Sequence, residues 1–173
     1  DLYSNSKAIH IVRDPRDVVS SFKGMTFEPG NRYLDAIFAC MHSMDACLRY
    51  KKELPSNRYY AVAYESLVEN PEHELAKISD FLDIDYSDSM MDRTKYKDQF
   101  GDSLNAESHT SYKDNSPVKT GRWKDKLGNL DRVIIEGMLA KQLMEFDYAD
   151  IAESGIVINE FLALFQEEDL LRS

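Results

Sequence analysis

Lys7-Ala8-Ile9-His10-Ile11-Val12-Arg13-Asp14-Pro15-Arg16-Asp17-Val18-Val19-Ser20-Ser21 is the stretch on which the reading of this chain turns. Ala8 to Val12 is a short β-branched run of the kind that a parallel sheet buries on both faces, and it predicts a strand. Asp14-Pro15 then reads as a helix start, with Asp as N-cap and Pro at the first helical position, where an N–H would have no helical partner anyway. The turn between them lies at the carboxyl end of a strand, where open α/β sheets hold their ligands. Arg13 and Arg16 add fixed positive charge to a helix N-terminus that already offers backbone N–H groups, and Ser20 and Ser21 add hydroxyls further along. The ligand this chemistry predicts is a phosphate. The plainer alternative is a local Arg13–Asp17 ion pair on an ordinary helix.

Arg13-Asp14-Pro15-Arg16-Asp17, with Ser21 eight residues after Arg13, resembles the 3′-phosphate-binding motif of the sulfotransferases that use 3′-phosphoadenylyl sulfate (PAPS), written R-[ND]-P-[RK]-D-x-x-x-S. The resemblance implies that Arg13 and Ser21 hold the 3′-phosphate of the nucleotide. Arg suits that role because its planar fork pairs bidentately with phosphate oxygens, whereas Lys acts as a point charge.

Two later stretches follow in the same family order. Arg58-Tyr59-Tyr60-Ala61-Val62-Ala63-Tyr64 predicts a second strand, rich in aromatic and β-branched residues. It runs into Tyr64-Glu65-Ser66-Leu67 and then Asn70-Pro71, which opens a helix with Leu75, Ile78, Phe81 and Leu82 as its apolar face. In the resembling family the Tyr of this landmark lies beside the adenine, which implies that role for Tyr64. An aromatic ring at a strand end can stack on a purine, although a plain core tyrosine is the alternative. Glu65 reads as a structural acceptor, since acid/base work needs a partner group that the sequence does not supply.

Ser116-Pro117-Val118-Lys119-Thr120-Gly121-Arg122-Trp123-Lys124 concentrates three cations around one glycine, beside the only tryptophan. Glycine lets backbone N–H groups approach an anion closely, and the cations supply its field. In the resembling family a basic, Gly-containing segment with a following Trp closes over the 3′-phosphate, which implies contacts from Lys119, Thr120, Gly121 and Arg122. The order differs from the R-K-G of the cytosolic small-molecule enzymes, so the contacting residue stays open among them. A helix-entry loop with solvated charges and a packed Trp123 is the alternative.

Composition bounds the remaining possibilities. At 173 residues, 43% of them hydrophobic, the chain can bury a core of ordinary size. A formal net charge of −10 argues against a nucleic-acid surface, whose footprint is basic and clustered. Cys40 and Cys47 fall on one predicted helix about 10 Å apart along its axis, too far to bridge, and they point to a reducing, cytoplasmic compartment. No run of apolar residues is long enough to span a membrane and no signal peptide is recognisable. The histidines lack metal-ligand spacing to each other or to cysteine, so no metal is expected.

The remaining elements are mostly helical. Leu34, Ile37, Phe38, Met41, Met44 and Leu48 predict an amphipathic helix over residues 31 to 53, with His42 off its apolar stripe and solvated. Residues 86 to 115 read as one short helix near Ser87 to Arg93 followed by a long polar loop. Leu130 to Tyr148 predicts one helix with Val133, Ile134, Met138 and Phe146 on one side. Residues 1–150 are expected to form the sulfotransferase-like domain. Residues 151–173 form a helical segment whose apolar surface, Ile156 to Leu171, packs back on it or meets a partner such as a second copy of the chain.

The expected fold is α/β, the three-layer P-loop-NTPase-like sulfotransferase fold with a parallel sheet. Neither a Walker loop nor the family's P-K-[ST]-G-[TS]-[TS] phosphosulfate loop occurs in these residues, and the family places that loop, and its usual catalytic base, ahead of the position Arg13 occupies. The resemblance therefore implies the 3′-phosphate and adenine side of a PAPS site, with the N-terminal strand, the loop and the catalytic residues upstream of Asp1. The expected activity is sulfuryl transfer from PAPS to a hydroxyl or amine of an unidentified acceptor, with adenosine 3′,5′-bisphosphate (PAP) as product and these residues alone inactive. Two rivals remain. A nucleotide kinase of related fold is disfavoured by the missing Walker loop and metal ligands, and a non-catalytic relative would bind nucleotide or a protein partner.

Overall fold

The computed structural model describes residues 5–25, 33–92, 120–148, 159–160 and 162–163. These divide between two compact units, one holding residues 1–11 and 55–120 and the other residues 12–54 and 121–173.

In the first unit, strand β1 (Ala8–Val12, whose last residue opens the second unit) pairs with β2 (Tyr59–Ala63) in a two-stranded parallel sheet. The Ala8 N–H donates to the Arg58 carbonyl at 2.9 Å as the pairing begins. Across the strands His10 Nδ1 and the Tyr59 hydroxyl are hydrogen-bonded at 2.6 Å, their rings edge to face. Helix α3 (Tyr64–Glu69) follows β2 without a loop, and α4 (Pro71–Leu82) follows with Pro71 in its first turn, as Asn70-Pro71 predicts. Asp83 ends α4 in the left-handed conformation at φ 57°, and Lys7 Nζ donates to the Phe81 carbonyl at 2.6 Å and pairs with Asp83. A cation on the last turn satisfies carbonyls that have no helical partner. A 3₁₀ turn at Asp88–Met91 stands where the helix near Ser87 was expected.

The expectation that β1 is buried on both faces fails. Ile11 is 55% exposed and Ile9 is also exposed, whereas Val12 is buried. Among the described residues β1 has only β2 as a sheet neighbour, and β-branching favours a strand whether or not a second layer covers it.

The second unit is helical, comprising α1 (Pro15–Met25), α2 (Tyr33–Glu53), α5 (Trp123–Lys126), α6 (Asn129–Met138) and α7 (Ala140–Glu145). Its core is Val19 of α1, Ala36 and Ile37 of α2, Ile135 and Leu139 of α6 and its end, and Leu143 of α7. The α2 stripe departs from expectation at Phe38, which is 47% exposed, while Cys47 is buried. Leu34, Ile37, Phe38 and Met41 do share one stripe by spacing, but the buried positions Ala36, Ile37, Met44 and Cys47 define a face rotated to the other side of Ile37, which leaves Phe38 at the solvent edge. His42 is exposed, as its position off the stripe predicts. Leu130 to Tyr148 is not one helix. The chain breaks at Leu139 (φ −109°, ψ 14°), which is fully buried in the core and comes two residues after Gly137, a residue that weakens a helix where it stands. Gln142 Nε2 donates to Asp45 Oδ1 at 3.0 Å and ties α7 to α2. Among the described residues no helix is long and apolar enough to cross a membrane.

Candidate functional site

The start of α1 forms as its sequence predicts. Asp14 is the N-cap: its Oδ1 accepts from the Arg16 N–H at 2.9 Å, and its carbonyl accepts from the Asp17 and Val18 N–H groups at 3.0 and 3.2 Å. Pro15 occupies the position where its missing donor matters least. Arg13 therefore stands between the end of β1 and the first turn of α1, and its side chain is 25% exposed.

The two arginines of the basic turn have different fates, which corrects the expectation that both supply charge to an anion. Arg16 is only 6% exposed. Its guanidinium donates from Nε and NH2 to Asp14 at 3.0 and 2.9 Å, from NH1 to Glu136 of α6 at 2.9 Å, and from NH2 to the Tyr148 carbonyl at 2.7 Å. Its plane lies over the Trp123 ring at 4.1 Å. Burial opposes the Arg16 charge, and the hydrogen bonds and charges of Asp14 and then Glu136 outweigh that opposition, so its pKa is raised. Arg132 completes the cluster, donating from Nε to both Glu136 oxygens at 3.0 and 3.1 Å and approaching Trp123 at 5.4 Å. Two cations and two carboxylates thus neutralise one another inside the unit. Arg16 is a buried strut of the turn.

Asp17 is the residue whose part the sequence does not announce. It is 1% exposed, and its oxygens accept from the Gly121 N–H at 2.8 Å and the Trp123 N–H at 2.9 Å. Arg13 NH2 lies 3.7 Å from the same Oδ2 that takes the Gly121 bond, an ion pair longer than a hydrogen bond. The local Arg13–Asp17 pair is therefore real, and it is one arm of a larger node. Ser20 Oγ donates to the Asp17 carbonyl at 3.0 Å. Ser21, half-buried, follows Asp17 by four residues and so lies one turn further along the same side of α1.

The third predicted stretch meets α1 through this carboxylate. Gly121 has φ +71° with nothing within 4 Å of where a Cβ would stand, so conformation rather than crowding calls for glycine there. Arg122 is exposed at the N-cap of α5, and Trp123 is buried beneath the arginines. Thr120 is half-buried, and it closes the first unit. Lys119 lies outside the described residues, as does the polar loop from residue 93 onward. Most of the segment 151–173 is outside them too; its described positions, 159–160 and 162–163, are helical and exposed. Tyr64 opens α3 in the first unit, half-buried at the carboxyl end of β2, and Glu65 stands in the same first turn. The structure thus brings Arg13, Gly121 and the backbone of Trp123 onto Asp17, while Arg16 engages Asp14, Glu136 and the Trp123 ring. A partly exposed arginine, a serine on the same helix side as Asp17 and an exposed Arg122 beside a left-handed glycine are donor types suited to a small dianion.

Comparison with known proteins bears on this arrangement. A sequence profile described as the sulfotransferase family matches residues 1–88. A curated protein of Caenorhabditis briggsae, provisionally named a protein-tyrosine sulfotransferase, is 28% identical over 105 residues, 52% of this chain and 33% of that protein. Among solved structures, the sulfotransferase domain of the Synechococcus PCC 7002 olefin synthase aligns with a TM-score of 0.55 and 26% identity, covering 78% of this chain and 49% of that one. Retinol dehydratase, solved with androsterone and the inactive cofactor PAP, aligns with a TM-score of 0.55 over 83% of this chain and 49% of its own, and at 16% identity it speaks to the fold alone. The fold is the α/β, P-loop-like fold of sulfotransferases. The chain spans a third of the curated relative and about half of these solved chains.

Proposed function

The chain belongs to the sulfotransferase family, and from that premise we propose that it works in PAPS-dependent sulfuryl transfer to a hydroxyl or amine, contributing the side of the site that holds the 3′-phosphate and the adenine. In such a transfer the acceptor oxygen or nitrogen attacks sulfur in line, the bond from sulfur to the phosphate oxygen breaks, and PAP leaves while a base takes the acceptor's proton. The residues of this chain bind and orient the leaving nucleotide. Arg13 and Ser21 hold the 3′-phosphate, the segment Lys119 to Arg122 closes on it, and Tyr64 faces the adenine, a role resting on its place in the family's order of motifs. No phosphosulfate loop occurs in these residues, so the groups that stabilise charge on the leaving phosphate and activate the acceptor are assigned outside them, and these residues alone should bind nucleotide without turnover.

The observation that carries this reading is the pairing of Arg13 with the left-handed Gly121 turn through one buried carboxylate. A basic turn by itself would suit many helices. A second basic segment, distant in sequence and fixed to the same node, is what two-sided recognition of a phosphate requires. PAP is the ligand found in the retinol dehydratase structure, and its 3′-phosphate is the group that Arg13 would distinguish.

The reading predicts that the protein binds PAP more tightly than adenosine 5′-monophosphate. Arg13→Ala removes a charge-assisted contact worth about 1.5 to 3 kcal/mol, which is roughly 10- to 150-fold in affinity for PAP, and it leaves the monophosphate nearly unaffected. Titration calorimetry of both nucleotides against both proteins decides the matter. Equal affinity of the unmutated protein for the two nucleotides would refute the assignment.

A further inference from the structure

We propose that Asp17 is a positioning residue for 3′-phosphate recognition, a carboxylate that fixes the Gly121–Trp123 turn beside Arg13 so that two segments distant in sequence address one anion. The inference rests on the reading above and assigns a role to a residue that would not itself touch the ligand. A carboxylate close to an anion site is electrostatically adverse unless its charge is taken up. Here it is taken up by two backbone N–H groups, at 2.8 and 2.9 Å, and by Arg13 at 3.7 Å.

Those donors are also the elements that must be placed. Gly121 and Trp123 bracket Arg122, and fixing both of their N–H groups on one side chain leaves Arg122 exposed between them. The φ of +71° at Gly121 is part of how the two donors turn toward one acceptor. An alternative in which Asp17 merely caps α5 explains less, since that helix has four residues and needs no buried charge that also pairs with Arg13. Ser20 adds a further constraint by donating to the Asp17 carbonyl, so the node is anchored on α1 from both its side chain and its backbone.

Asp17→Asn keeps the shape and one acceptor oxygen, but it turns an amide toward the second backbone donor and removes the negative charge beside Arg13. Gly121→Ala leaves the carboxylate intact and disturbs only the turn, because an alanine is strained at this φ while meeting no neighbour. Affinities for PAP and for adenosine 5′-monophosphate are to be measured by calorimetry for the unmutated protein and both variants, with Trp123 emission recorded before ligand is added. We expect Asp17→Asn to weaken PAP by about 10- to 100-fold and Gly121→Ala by about five- to tenfold. Monophosphate binding should stay within about twofold in each, and Trp123 emission should shift in Asp17→Asn. If the unmutated protein fails to prefer PAP, the 3′-phosphate reading falls whatever the variants do. If it prefers PAP, full discrimination by Asp17→Asn overturns the positioning role, and so does an equal loss for both nucleotides, which is what general destabilisation gives. Should Asp17→Asn not fold, Gly121→Ala decides alone. Undiminished discrimination by Gly121→Ala overturns the proposal in every case, because the turn would then have no part in reading the phosphate.

Discussion

Replacing Arg16 with methionine tests the account of the basic turn most directly, because the structure assigns that arginine to the interior. The substitution keeps a long apolar stem beneath Trp123 and deletes a guanidinium that donates to Asp14, to Glu136 and to the Tyr148 carbonyl. Asp14 would retain the backbone N–H of residue 16 on Oδ1, and Glu136 would retain Arg132 on both oxygens. The loss therefore falls on Asp14, which gives up the Nε and NH2 contacts, and on the Tyr148 carbonyl. Removing one partner of a buried ion pair costs about 3 to 5 kcal/mol, and loss of the cation from the Trp123 face adds about 0.5 to 2 kcal/mol. Partial compensation by Arg132 favours the lower half, so a loss near 4 kcal/mol is expected, a large share of the roughly 5 to 15 kcal/mol that holds a domain together. Urea unfolding followed by far-UV circular dichroism measures it. The triple variant Arg16→Met, Asp14→Asn, Glu136→Gln should be more stable than the single one by about 1 to 3 kcal/mol, since no buried charge is stranded and asparagine caps a helix about as well as aspartate. A loss below about 1 kcal/mol for the single variant, or no recovery in the triple one, would refute the buried-strut account.

Two further outcomes are expected. The Cys40 thiol is pushed up from 9.0 to about 11, by burial first and by Asp14 second, so its thiolate fraction at pH 8 is roughly 100-fold below that of an unperturbed cysteine. The rate of its alkylation in a Cys47→Ala background should keep climbing past pH 10, and a plateau near pH 9 would contradict the burial. Because the folded pKa is the higher one, this group's contribution to stability is fully present below pH 9 and declines as pH rises toward 11. Ile37→Ala empties a fully buried position between α1, α6 and α7 and should cost about 2 to 5 kcal/mol by chemical denaturation, whereas Phe38→Ala, one residue on and exposed, should cost less than about 1 kcal/mol.

The parts of the fold legible in sequence are those set by local pattern. Five consecutive apolar-rich residues and a capping Asp-Pro pair place β1 and the start of α1 correctly, because strand propensity and helix capping act over a few residues. What failed depends on distant chain. Ile9 and Ile11 read as buried but are exposed, since burial is decided by whatever covers a face. The helix expected over residues 130 to 148 is interrupted at Leu139, just after Gly137, whose weakening of the helix is a small local signal, while the burial of Leu139 in the core depends on distant chain. Phe38 fits the apolar spacing yet is exposed, because the neighbours of α2 cover the side carrying Ala36 and Cys47 instead.

At the site the same division separates Arg13 from Arg16. Both are cations in one basic turn, and nothing within that turn says which faces solvent. The answer comes from Glu136, which meets Arg16 across 120 residues, and from Tyr148, across 132. Asp17 is decided likewise by Gly121 and Trp123, more than 100 residues away. One signal was nevertheless present in the sequence. Two carboxylates within a five-residue motif that is read as anion-binding contradict simple electrostatics, since each would repel the ligand if left uncompensated. Every such carboxylate must therefore have its own donors, and in this turn they are Arg16 for Asp14 and the Gly121 and Trp123 amides for Asp17. Arg13 adds its charge to the same Asp17 carboxylate, so both acids of the turn are compensated within the structure rather than left to meet a ligand.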